Sequence, residues 1–294
     1  MASRLRRVAG SAPARRRQLR ASFDQRATRE YRRYGGEPRR LLQRELRERF
    51  LALHLPRAPP VLLELGPGPG RFTPALLAAR PGRLLAVDLS RPILLAARRR
   101  LRRNPRAGRT AWLRAAGEHL PLRDGSVDVA VVIGNVVCMA AREGPAMLRE
   151  IRRVTRPGAL LVADFASPAA SVEEFFHVAA RRKLLLKVLR RPAFYLVDQA
   201  LRSGYQPYRP ERLASWEFQY YTPDGARRAL ARAGFRVQDV MAVGPLASHH
   251  DRVARVARRD RRAWGNLLRI EERVGRRPGV GETGHGFIVA ARRR

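Results

Sequence analysis

The residues best suited to chemistry lie in one short stretch, where an acidic residue is followed by three alternating glycines. The apolar run Val61–Leu65 contains Glu64 near its end, and Gly66, Gly68 and Gly70 follow it. Glycines tolerate the backbone angles of a sharp strand-to-helix turn and let a ligand approach the main chain closely. The spacing therefore predicts a strand, a ligand-binding turn, and a helix whose N-terminus faces a nucleotide cofactor.

A second acidic residue stands where such a ligand needs it. Residues 83–88 have the pattern of another buried strand with Asp88 at its carboxyl end, and the spacing from Gly70 leaves room for one helix. A carboxylate at this place can accept hydrogen bonds from both hydroxyls of a ribose. The alternative role for Asp88 is a cap on the next helix, but Ser90 is a better N-cap, with Pro92 in the first turn.

Two cofactor classes share this geometry, and the spacing separates them. A dinucleotide turn has the pattern Gly-x-Gly-x-x-Gly, which places its third glycine at position 71, where this chain has Arg71. Glu64 is also poorly placed beside a diphosphate. An acidic residue is better suited to a cofactor that carries cationic amino and sulfonium groups and no pyrophosphate.

The pattern Glu-x-Gly-x-Gly-x-Gly resembles motif I of the class I S-adenosylmethionine-dependent methyltransferases. Further segments resemble, in the same order, the ubiquinone/menaquinone-biosynthesis (methyltransferase type 11) group, and the similarity covers most of residues 23–294. The resemblance implies an α/β fold: a Rossmann-like seven-stranded, mostly parallel sheet with an antiparallel last strand, helices on both faces and a helical lid insertion. The segments are 115–122, 124–129, 150–164, 221–224, 233–235 and 285–290.

The same resemblance implies S-adenosylmethionine as the cofactor. The family commonly has an Asp where this chain has Ala116, and that Asp contacts the adenine amino group. We expect backbone groups around Gly117, or Glu118 itself, to replace this contact. The cofactor-binding residues implied are Glu64, Gly66, Gly68, Gly70, Asp88, Leu89, Gly117, Glu118 and Asn135.

No motif identifies a catalytic base. Methyl transfer mainly needs alignment and exclusion of water, and a base is needed only when the acceptor must lose a proton. The candidates by location are His177, Tyr195 and His285, of which His285 has the alternative role of capping a hairpin. The segment 133–138 lacks the Asn/Asp-Pro-Pro-aromatic motif of enzymes that methylate base amines, which disfavours that activity.

Cysteine and histidine usage predicts neither a disulfide nor a metal site. Cys138 is the single cysteine, and we expect it to be buried or to line a pocket. His249 and His250 are adjacent, and neighbouring side chains on a helix point about 100° apart, so they rarely chelate one ion. We interpret them as surface residues.

The basic composition is a weaker indicator than its size suggests. The formal net charge is +36 and the pI about 11.9. Among the 61 basic residues only Lys183 and Lys187 are lysines, which favours codon bias in a GC-rich genome. The arginines are also spread over nearly every predicted helix. We expect no more than weak, salt-sensitive association with RNA or anionic lipid.

The sequence predicts one enlarged domain behind a basic arm. Residues 1–22 have the composition of a disordered basic arm or of an Arg-rich transit peptide, and residues 23–294 form the methyltransferase domain. Its lead-in helix, from Phe23, either folds over the cofactor or packs on the core. Two insertions are predicted: a basic, aromatic-rich lid at 167–219, with a membrane-surface helix as the alternative, and a helix at 247–281.

Function follows from these features taken together. We expect a methyltransferase that acts on a small, hydrophobic or aromatic acceptor at O, C or N. The alternatives are a methyltransferase of RNA or protein, an NAD-dependent oxidoreductase, and a binding protein whose cofactor site has decayed. No apolar run is long enough for a membrane span, so a cytoplasmic location is expected, and no segment predicts the oligomeric state.

Overall fold

The structure is a computed structural model that describes residues 12–32, 37–169, 201–206, 217–247, 251–282 and 284–294. The helices within this part of the chain are α1 (Ala12–Arg32), α2 (Pro38–His54), α3 (Thr73–Ala78), α4 (Arg91–Leu101), α5 (Val136–Ala140), α6 (Gly144–Val154), α7 (Pro223–Arg232), α8 (Asp251–Ala257) and α9 (Arg261–Gly275). The strands are β1 (Val61–Leu65), β2 (Arg83–Asp88), β3 (Thr110–Arg114), β4 (Val127–Val132), β5 (Thr155–Ala166), β6 (Tyr205–Gln206), β7 (Phe218–Gln219), β8 (Phe235–Ala242) and β9 (Gly286–Arg293).

Seven of these strands form one sheet in the order β3-β2-β1-β4-β5-β9-β8. The first five in this order are parallel, whereas β9 runs antiparallel to both β5 and β8. The central strands are almost wholly apolar, as in β1 and β4, because helices cover both of their faces. The predicted Rossmann-like sheet with an antiparallel last strand is confirmed.

Helices pack on the two faces and divide the core into two layers. Leu63 and Leu65 of β1 contribute to the layer that includes α6 and α7. Leu62, which points the other way in the pleat, belongs to the layer that includes α2, α3 and α9. The edge at the carboxyl ends of β1, β2 and β4 is therefore fixed by a core on each side.

The N-terminal segment differs from its prediction. Helix α1 begins at Ala12, so the predicted disordered arm is wrong for residues 12–22, while residues 1–11 lie outside the described chain. Alanine, arginine and glutamine are good helix formers. In addition, Arg15 and Arg16 form ion pairs with the folded domain, as described below, and these contacts hold α1 in place.

Most of the predicted lid lies outside the described residues, which exclude 170–200 and 207–216. The part that is described includes the short antiparallel pair β6–β7, in which Tyr205 is opposite Gln219. The helical content predicted for this insertion, and the division of the chain into one domain with two insertions, stay predictions.

The second insertion contains two helices, α8 and α9, where one was predicted. Asp260 separates them by capping α9, since its carboxylate accepts a hydrogen bond from the Ala263 N–H at 2.7 Å. Leu267 and Leu268 are buried against the layer that includes α2, so α9 is part of the core. The predicted surface histidines at 249–250 lie outside the described chain.

Within the described ranges, no helix has both the length and the apolar character needed to cross a membrane.

Candidate cofactor-binding site

The glycine turn after β1 is shaped by a close approach on one side and open space on the other. Gly66 and Gly68 have φ of 72° and 53°, a left-handed conformation that favours glycine. A Cβ on Gly66 would lie 2.5 Å from Cγ2 of Val136, the first residue of α5, whereas a Cβ on Gly68 would meet no atom of the described residues within 4 Å. The turn therefore touches the start of α5 at Gly66, and its main chain is open to the described surroundings at Gly68.

Arg100 of α4 supports the same turn, which the sequence analysis did not predict. One of its terminal nitrogens, Nη1, donates hydrogen bonds to the Pro69 and Gly70 carbonyls at 3.4 and 3.1 Å. This arginine is one of many on the exposed side of α4. No sequence signal separates it from its neighbours.

Glu64 is a buried acid that pairs with no basic side chain in the described part of the chain. Its side chain is 3% exposed and accepts a hydrogen bond from the Thr73 hydroxyl at 2.7 Å. Burial raises the pKa of Glu64 to about 8, and the nearby Asp88 adds to this, while the Thr73 hydrogen bond opposes it. No basic side chain is among the groups that set this pKa. A cationic group placed beside Glu64 would ionise it.

Asp88 is held at the end of β2 by backbone N–H groups. The Ser90 N–H donates to its Oδ1 at 2.9 Å, and the backbones of Gly68 and Leu89 also contribute. Burial raises the pKa of Asp88 to about 6 against these hydrogen bonds, and Asp24 of α1 raises it further. Asp88 thus lies against the glycine turn, and its role at a ribose stays a prediction. Ser90 caps α4, as also predicted, through the Ile93 N–H.

The loop after β3 brings two further predicted residues to this edge. Gly117 is buried, and a Cβ there would lie 2.6 Å from Cε of Met147 and 3.2 Å from Cδ2 of Leu65. Gly117 therefore lies beside the end of β1. Glu118 is ion-paired with Arg16 of α1 at 2.5 Å, so its carboxylate faces that helix.

The loop after β4 is anchored by a residue that sequence reasoning missed. The N–H groups of Gly134 and Asn135 donate to Oδ1 of the buried Asp164, at 2.9 and 2.7 Å. Oδ2 of Asp164 accepts from Nε of Arg47 in α2 at 2.9 Å. Asp164 follows the same rule as Asp88, an acid near the carboxyl end of a buried strand, so this signal was present in the sequence. Arg47 carries no comparable signal.

Helix α1 lies across the loops at this edge. Arg15 is paired with Glu143, in the turn before α6, and lies 3.6 Å from Glu217. Ser90, after β2, donates its hydroxyl hydrogen bond to Asp24 of α1 at 2.5 Å. With the contact of α1 to the loop after β3, these bonds place the predicted lead-in helix over the candidate site.

An aromatic cluster lies at the end of β5, beside the loop after β4. The Phe165 ring packs against Tyr221 and Phe287, with ring centroids 5.1 and 5.7 Å apart. Burial raises the pKa of Tyr221 and that of Cys138, so both keep their protons at neutral pH. Cys138 is buried, as predicted, and its sulfur accepts from the Ala166 N–H at 3.3 Å.

Of the three candidate bases, only His285 lies within the described chain. It directly precedes β9, whose first residue pairs with Ala166 at the end of β5, so it stands at the same edge of the sheet. His177 and Tyr195 fall among the residues that are not described. Across the described part of the chain, no group of three His, Cys, Asp or Glu side chains is arranged to hold a metal ion.

A glycine turn and two buried acids at the carboxyl edge of a parallel sheet are typical of Rossmann-like proteins that bind nucleotide cofactors. Comparison with known proteins makes this more specific, because residues 63–163 match the family of the methyltransferase domain. Residues 63–163 are thus similar to a methyltransferase domain.

Two curated relatives agree with this family. The chain is 32% identical over 183 residues to a malonyl-[acyl-carrier protein] O-methyltransferase of Methylococcus capsulatus, covering 56% of this chain and 64% of that protein. It is 35% identical over 120 residues to the ubiquinone/menaquinone biosynthesis C-methyltransferase UbiE of Acidiphilium cryptum, covering 40% of this chain and 45% of that protein. The chain thus spans less than two thirds of either relative.

The fold is shared with solved structures. A SAM-dependent methyltransferase of Thermotoga maritima has a TM-score of 0.57 and 16% identity, and the match covers 93% of this chain and 99% of that one. The Rossmann-like fold predicted from the sequence is confirmed, and the predicted resemblance to methyltransferases recurs in residues 63–163 and in both curated relatives.

Proposed function

We propose that this protein transfers a methyl group from S-adenosylmethionine to a small, hydrophobic or aromatic acceptor at O, C or N. The observation that carries the proposal is Glu64. It is a buried acid of raised pKa that no basic side chain of the described residues pairs with, next to a turn where these residues leave Gly68 open. A ligand with cationic amino and sulfonium groups would supply the missing positive charge, and a diphosphate would not.

The described residues divide the binding of this cofactor between them. Asp88 would hold the ribose hydroxyls, the backbone at Gly117 the adenine, and the turn at Gly68 the linking atoms, with Glu64 on the cationic side. When bound, S-adenosylmethionine supplies a methyl carbon that is already electrophilic. The task of the chain is then to align the acceptor and exclude water, and α1 covers the edge where this happens.

The acceptor side favours a substrate that loses its proton readily. Tyr221 and Cys138, whose side chains contact the end of β5, keep their protons at neutral pH and do not act as bases there. An acidic phenol or an enolisable carbon fits such a site better than an alcohol, with His285 as the candidate base. One curated relative is named as an O-methyltransferase and the other as a C-methyltransferase, so oxygen and carbon are the first atoms to test.

Calorimetric titration with S-adenosylmethionine, S-adenosylhomocysteine and NAD(H) tests the proposal. We expect the wild type to bind both S-adenosyl compounds and not NAD(H). Asp88→Ala should weaken binding of both S-adenosyl compounds by roughly 10- to 100-fold, because this is the effect expected from losing hydrogen bonds to a charged group. Asp124→Ala is the matched control, because Asp124 is an exposed acid paired with Arg153.

Three outcomes contradict the proposal. They are binding of NAD(H) in preference, no binding of any probe, and equal losses for the two aspartate variants. With binding established, transfer of labelled methyl to a panel of phenols, quinols and enolisable carbonyl compounds identifies the acceptor class. Labelling of added RNA or protein and of no small molecule would favour the macromolecular alternative.

A further inference from the structure

A buried carboxylate joins three separate elements beside the site. Asp164 is fully buried, and its Oδ1 accepts the hydrogen bonds of two successive N–H groups, at Gly134 and Asn135. Its Oδ2 accepts from Nε of Arg47, which is 8% exposed and also donates to the Gln43 carbonyl in α2 at 3.1 Å. The ion pair therefore connects α2, which precedes the matched methyltransferase domain, to the loop after β4.

The loop needs such an anchor because its backbone is unusual. Gly134 has φ of 110°, and Asn135 has φ of 60°, a left-handed conformation that only a few per cent of non-glycine residues adopt. Two N–H groups aimed at one charged oxygen stabilise this conformation. The next residue, Val136, lies against Gly66, so the anchored loop also determines the space beside the glycine turn.

The order of the strands places this loop at one end of the proposed cofactor. β1 lies between β2 and β4 in the sheet. A molecule held at its ribose by Asp88, after β2, and crossing the turn after β1 reaches the loop after β4 with its other end. In S-adenosyl compounds that end is the amino-acid part. Oδ1 of Asn135 is buried there and has no hydrogen-bond partner in the described structure, so it can accept from an ammonium group.

We infer that Arg47 and Asp164 are positioning residues, which hold the Gly134–Asn135 loop in the conformation that recognises the amino-acid part of the cofactor. This inference rests on the proposed function. Arg47 acts through Asp164 and touches no reacting atom. Its contribution should therefore depend on whether the ligand carries the amino-acid part.

Two probes separate this role from general stability. S-adenosylhomocysteine carries the amino-acid part, and 5′-methylthioadenosine has the same adenosine and thioether without it. We expect Arg47→Met to weaken S-adenosylhomocysteine binding by roughly 10-fold or more, because loss of one charge-assisted hydrogen bond has an effect of about this size. Binding of 5′-methylthioadenosine should change by less than about twofold. Arg49→Met is the matched control on the same helix, since Arg49 makes an exposed ion pair with Glu272, and it should change neither affinity.

The outcomes distinguish the inference from the proposed function. A wild type that binds neither probe overturns both. A wild type that binds both, with equal losses for the two probes or no loss in Arg47→Met, overturns the inference alone. If Arg47→Met does not fold, Arg47→Lys retains the charge but not the Nε hydrogen bond. Arg47→Lys should then bind S-adenosylhomocysteine more weakly than the wild type does, by a smaller factor than that expected for Arg47→Met, and should bind 5′-methylthioadenosine almost unchanged. Equal losses of affinity for the two probes, or no loss for either, reject the inference.

Discussion

Replacing Glu64 by glutamine should stabilise the cofactor-free protein at alkaline pH. Glutamine keeps an oxygen that can accept the Thr73 hydrogen bond and removes the charge that burial disfavours. The native state holds a proton on Glu64 up to about pH 8, whereas the unfolded chain releases it near the ordinary value of 4.5. The contribution of this group to stability is therefore fully present below pH 4.5 and is lost as the pH rises through 8.

The size of the effect follows from the pKa difference. At 1.36 kcal/mol for each pKa unit, the gap between 4.5 and about 8 corresponds to an upper limit of ~5 kcal/mol above pH 8. Most of this loss is already present at pH 7. The Glu64→Gln variant lacks the titrating group, so its free energy of unfolding should vary less between pH 5 and 9 and exceed that of the wild type at pH 9.

Urea unfolding of cofactor-free protein at pH 5, 7 and 9 measures this difference. Glu150→Gln is a matched control of opposite sign, because the hydrogen bonds of Arg153 and of the Leu120 N–H hold the pKa of Glu150 below its usual range. That substitution should destabilise the protein at neutral pH. A Glu64→Gln variant with the same pH slope as the wild type, or one destabilised equally at all three values, would refute the reasoning.

The same substitution should weaken cofactor binding, so stability and binding move in opposite directions. In the wild type at pH 7, binding of a cation beside Glu64 should release close to one proton, because the free protein holds that proton and the complex does not. Calorimetry in two buffers of different ionisation enthalpy counts the protons. If Glu64→Gln releases as many protons on binding as the wild type does, the raised pKa of Glu64 has no role in binding.

Two further substitutions test the supporting structure. Gly66→Ala should weaken S-adenosylhomocysteine binding and destabilise the fold by ~1–3 kcal/mol, because the added methyl group strains the backbone and lies too close to Val136. A second substitution, Val136→Ala, should restore part of the binding affinity, measured by calorimetry, and part of the stability, measured by thermal unfolding. Glu271→Ala should lower the free energy of unfolding in urea by ~2–4 kcal/mol, since this fully buried carboxylate accepts hydrogen bonds from the N–H groups of Leu246 and Ala247 at 3.1 and 2.6 Å. Cofactor affinity should not change in this variant, and a loss of affinity would contradict a purely structural role for Glu271.

The parts of the site that could be predicted from the sequence consist of residues that lie close together in the chain. Glu64, the glycines and Asp88 lie within two strand-turn-helix units, so spacing alone was enough to relate them. The antiparallel last strand, which the family resemblance implied, was also predicted correctly. Assignment of these residues to the cofactor stays a prediction until binding is measured.

The parts that were missed depend on partners far apart in the chain. Arg47 and Asp164 are 117 positions apart, and only the order of the strands brings α2 over the end of β5. Residues 1–22 were predicted to be a disordered arm because nothing in the sequence distinguishes Arg15 and Arg16 from the many other arginines of the chain. Their acidic partners, Glu143 and Glu118, come from loops that no local pattern connects to α1.

The position of β9 has a consequence for how the protein is made. This strand follows all other described strands in the chain, yet it lies between β5 and β8 and pairs with both. Until residues 286–293 leave the ribosome, β5 and β8 each present an unpaired, largely apolar edge, which is a site for association with other nascent chains. The sheet is thus completed after synthesis of its other strands, and interrupted translation would leave β5 with an open edge and β8 without its partner strand in the sheet.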